Sequence, residues 1–164
     1  TAYLVAETVN TTGEVILPGE ATLYADGAMV GQQQIELIPA GETIDLGFGP
    51  IDGLIGEYEV TQQREGDRGL ISRSSSQSQT AVLRVRNLTG EAWPLRIIGQ
   101  VPVSVQDDLR ITWSADPAPS AQDPDGQRGL LYWDSMIATT QETEITLVTD
   151  MNWPEGKVLL NGRN

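Results

Sequence analysis

Apolar residues in this chain recur at every second position over many short stretches, a period that fits β-strands and not helices. In residues 81–86, Ala81, Leu83 and Val85 fall on one side of an extended chain while Arg84 and Arg86 fall on the other. Leu109, Ile111 and Trp113 alternate in the same way with Arg110 and Thr112. So do Ile145 and Leu147 with Glu144 and Thr146, and Tyr58 and Val60 with Glu57, Glu59 and Thr61. Each pattern predicts a half-buried strand of an antiparallel sheet. Further strands are expected over residues 3–9, 14–17, 21–24, 29–37, 43–48, 93–100, 129–133 and 157–160, giving roughly ten to twelve in all. Turn signals separate them, among them Pro18-Gly19, Asp26-Gly27, Pro39-Ala40-Gly41, Asp52-Gly53 and Thr89-Gly90. No stretch carries a capped amphipathic helix. The expected fold is all-β, an antiparallel two-sheet β-sandwich, immunoglobulin-like with strands beyond the minimal plan of about seven.

A chain of 164 residues is long enough to remove roughly 70% of its unfolded surface from water, so one sandwich domain spanning 1–164 is expected. Two segments read as long loops: 64–79, with the polar run from Ser72 to Gln79, and 114–128, rich in proline and aspartate. Trp93, Trp113, Trp133 and Trp153 are evenly spaced, but their neighbours share no pattern, so the interval predicts no repeat.

The residue inventory excludes whole classes of chemistry. Cysteine is absent, which rules out disulfides, thiolate metal sites and thiol nucleophiles. Histidine is absent too, and with it the usual general base near neutral pH and the commonest ligand for zinc, copper and iron. Lys157 is the only lysine, so a lysine-dependent mechanism would have to run through that one residue. A net charge of −13 repels phosphate backbones, and no nucleic acid partner is expected. No apolar run approaches the ~20 residues of a membrane span. The start at Thr1 without a signal-like pattern is read as the sign of a piece of a longer protein.

Carboxylates remain as the only abundant acid-base groups. Asp52, Glu57, Asp107 and Asp108 are the candidates for a glycosidase-like pair, weighed against ordinary surface solvation. Asp116, Asp123 and Asp125 offer hard oxygen ligands of the kind calcium takes, but their spacing fits no EF-hand, and Asp123-Pro124-Asp125-Gly126 reads more simply as a turn. Trp113 shares a face with Leu109 and Ile111 and is expected in the core. Tyr132 and Trp153 are the candidate ligand contacts, as aromatic platforms for a sugar, with Trp153 the expected exposed exception among the tryptophans. Asn10-Thr11-Thr12 and Asn87-Leu88-Thr89 match the glycosylation sequon, which matters only in a secretory eukaryotic setting.

Several motifs in order carry a family resemblance: Tyr3-Leu4-Val5-Ala6-Glu7, Leu17-Pro18-Gly19, Tyr24-Ala25-Asp26-Gly27, Pro39-Ala40-Gly41-Glu42, Leu46-Gly47-Phe48-Gly49, Val101-Pro102-Val103-Ser104 and Gly129-Leu130-Leu131-Tyr132-Trp133. The series resembles the C-terminal domain of the mucoidy-inhibitor-type bacterial proteins, a family of unknown biochemical function. The resemblance implies a longer parent with an N-terminal β-rich domain and a coiled-coil middle. It departs from the family pattern at Ala25 and Gln32, where an arginine would stand, so no basic contact is carried over there. No catalytic set is transferred. The glycines of these motifs, Gly19, Gly27, Gly41 and Gly49, suit turns or close backbone approach.

The expected function is therefore a non-catalytic interaction or scaffold module of a bacterial envelope-associated protein, not an enzyme, with no cofactor and no metal. A protein partner, or self-association through the upstream coiled coil, is the expected contact. The alternatives are carbohydrate binding and, further off, a carboxylate-based glycoside hydrolase. The expected location is the periplasm or cell envelope, with the cytoplasm left open.

Overall fold

The structure, a computed structural model, describes residues 1–67 and 74–154. The strand expected over 157–160 lies outside them. Among the described residues the chain is all-β and antiparallel, with one short 3₁₀ turn at Pro124–Gly126. It divides into two compact units, Thr1–Ile55 and Gly56–Asn164.

The first unit holds β1 (Tyr3–Val9), β2 (Gly19–Ala25), β3 (Ala28–Ile35) and β4 (Thr43–Pro50). β1 pairs with β4 and β2 with β3, giving two small sheets. Asp26 and Gly27 join β2 to β3 with φ of 49° and 80°. Two consecutive positive values make the mirror-image turn whose twist matches a hairpin, and the Asp-Gly pair supplies it. The Gln33 side chain links the two sheets: its amide donates to the Asp45 carbonyl at 3.0 Å and its oxygen accepts from Gly47 N–H at 2.9 Å.

The second unit adds to a similar plan. β5 (Leu54–Asp67) starts at the boundary between the units and pairs with β6 (Ser74–Asn87) in a four-stranded sheet of order β5-β6-β11-β8, with β11 spanning Glu142–Pro154 and β8 Arg110–Asp116. β7 (Trp93–Gln100), β10 (Leu130–Ile137) and the short β9 (Ala121–Gln122) form the other sheet, in order β7-β10-β9. Both sheets send side chains inward: Ala81, Val85, Ile145 and Leu147 from the first, Ile97, Leu131, Trp133 and Ile137 from the second, all buried. Each valine, leucine or isoleucine among them contributes about 1.5–3 kcal/mol. Trp133 lies over Gly99, where a β-carbon would meet its ring at 2.8 Å, and its indole N–H donates to the Pro117 carbonyl at 2.8 Å.

Each unit contains a corner of the same design. Asn10-Thr11-Thr12-Gly13-Glu14 follows β1, and Asn87-Leu88-Thr89-Gly90-Glu91 closes β6 and leads on to β7. The Asn87 amide, fully buried, donates to the carbonyls of Glu91 (2.7 Å), Ala138 (3.0 Å) and Ile137 (3.3 Å), and its oxygen accepts from the Thr89 N–H (2.9 Å) and hydroxyl (2.7 Å). Asn10 repeats this on Glu14 (2.7 Å), Ile38 (3.0 Å) and Pro39 (3.1 Å), and accepts from the Thr12 N–H (3.1 Å) and hydroxyl (2.7 Å). The backbone agrees: Asn10 N–H donates to Glu42 and Asn87 N–H to Gln141, each beside a residue of positive φ, Gly41 and Thr140. The ladders continue in matching register, Val9 opposite Thr43 as Arg86 is opposite Glu142. The bridge Ile16–Ile38 corresponds to the pair Trp93–Ile137. Only a primary amide, with two donor hydrogens and a carbonyl, fits such a site. A structural repeat thus exists, unconnected with the tryptophan spacing. Neither sequon is a glycan acceptor in the folded chain, because both amides are buried and fully engaged.

Several expectations need correction. The predicted loop over 64–79 is mostly strand: β5 runs to Asp67, and β6 begins at Ser74 and pairs through Gln79 with Thr149 of β11. Serine and glutamine are poor strand signals, but an arm held by main-chain ladder bonds needs no apolar face. The 114–128 stretch is also not one loop, since it holds the end of β8, β9 and the 3₁₀ turn. Residues 14–17 contribute a single bridge at Ile16, not a strand. Gly19 opens β2 and Gly49 lies within β4, its positive φ falling at the register shift opposite Leu4, while Gly27 and Gly41 have positive φ as their turn motifs require. Trp113 is half-buried on β8, at the edge of its sheet, where full cover is not available.

Candidate functional site

The features that set β5 apart begin with charge alternation. Glu57-x-Glu59, Arg84-x-Arg86 and Glu142-x-Glu144 each place two like charges on one face of a strand. Pairing β5, β6 and β11 side by side turns them into two rungs. In one, Arg84 lies between Glu144 (Nε to Oε2, 2.6 Å) and Glu59 (Nη1 to Oε2, 3.4 Å). In the other, Arg86 lies between Glu142 (Nε to Oε2, 3.6 Å) and Glu57 (Nη2 to Oε1, 3.4 Å). The Arg84 guanidinium is held further above its ordinary range, first by the hydrogen bond to Glu144, and against a smaller opposing effect of burial.

Among the described residues β5 is an edge strand of this sheet, and residues 55–61 are all exposed. On the pleat opposite the glutamates, Tyr58 and Val60 are 63% and 44% exposed, although the neighbouring strand fills the same face with Ala81 and Val85 in the core. The other sheet buries inner-face residues of β6 and β11 but leaves Tyr58 and Val60 of β5 uncovered. A strand with free main-chain groups along one side and uncovered apolar side chains on one face can pair with an extended segment.

A second feature is a cleft of about 580 Å³ in the same unit, lined by Val101, Asp107, Arg110, Trp113, Arg128 and Leu131 among others. Its lining carries both signs of charge. The Asp123 carboxylate at its border accepts from Gly129 N–H at 2.6 Å, closing the turn that leads into β10.

Of the residues singled out from sequence, Asp107, Trp113 and Asp123 line this cleft, and the others stand on separate elements. Tyr132 stands on β10, half-buried, with the Arg96 guanidinium 4.8 Å over its ring, and Arg96 in turn makes a bidentate pair with Asp134 at 2.7 and 3.0 Å. That hydrogen bonding holds the Asp134 carboxyl below its ordinary range. Trp153 is half-buried on β11, in the other sheet, so the two aromatics do not form one platform. Of the carboxylates, Glu57 is paired with Arg86, Asp107 borders the cleft, and Asp52 belongs to the other unit. Asp116, Asp123 and Asp125 do not converge: among the described residues no group of three acidic side chains could hold a metal ion. Sequence reasoning missed the charge ladder, though its signal was present as three alternating-sign pairs at i, i+2.

Comparison with known proteins agrees with an uncharacterised domain. The chain is 26% identical over 111 residues to Protein F37C4.5 of Caenorhabditis elegans, an alignment covering 68% of this chain and 20% of that protein. The chain thus matches about a fifth of the length of that curated relative. No solved structure matches. Residues 5–155 match the family model described as a domain of unknown function, DUF4139, and since this takes in nearly the whole sequence, the chain belongs to that family.

Proposed function

We propose that this domain is a non-catalytic interaction module of a longer, mucoidy-inhibitor-type protein associated with the bacterial envelope, and that it engages a protein partner by pairing along β5. The carrying observation is the exposed edge strand with Tyr58 and Val60 uncovered beside a filled core. The sequence inventory supports the non-catalytic half: without histidine or cysteine, acid-base chemistry falls to carboxylates. An upstream coiled coil would present two such edges at once and raise the effective concentration of the second contact.

The test is site-specific photo-crosslinking in the full-length protein, with the probe at Tyr58 and a control probe at Leu17, an exposed residue in the other unit. A protein adduct is expected at Tyr58, removed by Val60→Lys, since an added lysine on an edge strand opposes pairing. Equal labelling at both positions, or turnover in a substrate screen, contradicts the reading.

A further inference from the structure

The two rungs across the four-stranded sheet run negative, positive, negative from β11 through β6 to β5, and both stop on a carboxylate at the open edge. Glu59 and Glu57 remain 65% and 53% exposed. Among the described residues each is bonded on one side only, to an arginine of β6, at 3.4 Å. A strand laid along β5 places one residue opposite Glu57 and another, two positions away, opposite Glu59. Its intervening residues fall on the face of Tyr58 and Val60.

Resting on the edge-pairing role proposed above, we infer that the partner of β5 is an extended segment in which lysine or arginine alternates with apolar residues. The basic side chains continue the sign alternation of both rungs. The apolar ones cover Tyr58 and Val60, joining the part of the inner face that the second sheet leaves open. Acidic strands are excluded by like charge directly opposite. A second copy of β5 is disfavoured for the same reason, because an antiparallel pair centred on Tyr58 sets Glu57 against Glu59 of the other copy. The net charge of −13 adds a long-range preference for a basic segment.

The test uses the intact chain and synthetic peptides of roughly eight residues, the length of an ordinary strand. Lysine alternates with valine in one, threonine with valine in the second and glutamate with valine in the third. A fourth has the first composition in separate lysine and valine blocks. Amide shifts of residues 55–61 report binding. The alternating basic peptide is expected to bind about tenfold more tightly than the threonine peptide, to weaken as salt is raised, and to shift those amides selectively. Glu57→Lys with Glu59→Lys should transfer the preference to the glutamate peptide. Two results overturn the inference while leaving edge pairing intact: equal binding of the lysine and threonine peptides, or equal binding of the alternating and block peptides. If no peptide moves residues 55–61, edge pairing itself fails. A concentration-dependent dimer abolished by Tyr58→Lys would assign the edge to a second copy instead.

Discussion

The two units build the same corner and do different things with it. In each, a buried asparagine ties the turn after one strand to the carbonyls that precede its partner strand, and the ladder beyond starts in the same register. In the first unit the asparagine and its bridged carbonyl are 28 residues apart, joined through a plain Asp-Gly hairpin. In the second they are 50 apart, and the extra chain supplies β8 and β9. The second unit alone adds β5. Among the described residues the first unit buries three apolar side chains, Leu23, Ile38 and Leu54, while the second buries ten. The shared frame is thus committed to structure, and what was added to one copy carries both the thick core and the features fit for binding.

If the corner has the same role in both units, cutting its amide should hurt both, and more where burial is complete. Asn87→Ala is expected to lower stability by about 3 kcal/mol, because several buried carbonyls and N–H groups lose partners at once, and to lower Tm by about 10 °C. Asn10→Ala, slightly less buried, should cost about 2 kcal/mol. Thermal unfolding of the two variants checks the order. If Asn10→Ala proves harmless, the two corners are alike in shape only.

Gly99→Ala sharpens the contrast from the core side. A β-carbon there presses on the Trp133 ring, which occurs only in the second unit, and about 1–2 kcal/mol of destabilisation is expected. Near-ultraviolet circular dichroism should show a change in the tryptophan signal. Gly31→Ala in the first unit, with open space around it, should leave that signal unchanged. The smallest effect concerns the Arg96–Asp134 pair. Its carboxyl is lowered in the folded state, so its contribution is present above the ordinary carboxylate range and is lost as pH falls through the folded value. Because the pair is exposed, the Tm gap between the native chain and Asp134→Asn should be small at neutral pH and close in acid.

Much of the fold was legible in the sequence. Alternation at Ala81–Arg86 and Glu144–Leu147 marked core strands because one face is buried and the other wet, and Asp26-Gly27 marked its hairpin because few residues tolerate two positive φ values. The arm at Ser74–Gln79 was not legible, since main-chain pairing with β11 leaves no apolar trace. The corner was legible as a turn at Thr89-Gly90 but not as a repeat: Asn-x-Thr matches a sequon when taken three residues at a time, and the likeness to the first unit shows only when all five residues are aligned. The site was least legible. An exposed tyrosine on β5 is written in the same letters as a buried one, and the difference lies in a sheet that stops one strand short of covering it.

Hydrogen exchange followed by NMR on the intact chain tests the common corner and its unequal support together. The side-chain amide protons of both Asn10 and Asn87 should exchange slowly, with the amides of β6 and β11 surviving longer than those of β1 and β4, and with β5 losing its label on the open side first. Side-chain amides exchanging at the rate of a free asparagine, or equal protection in the two units, would contradict the account.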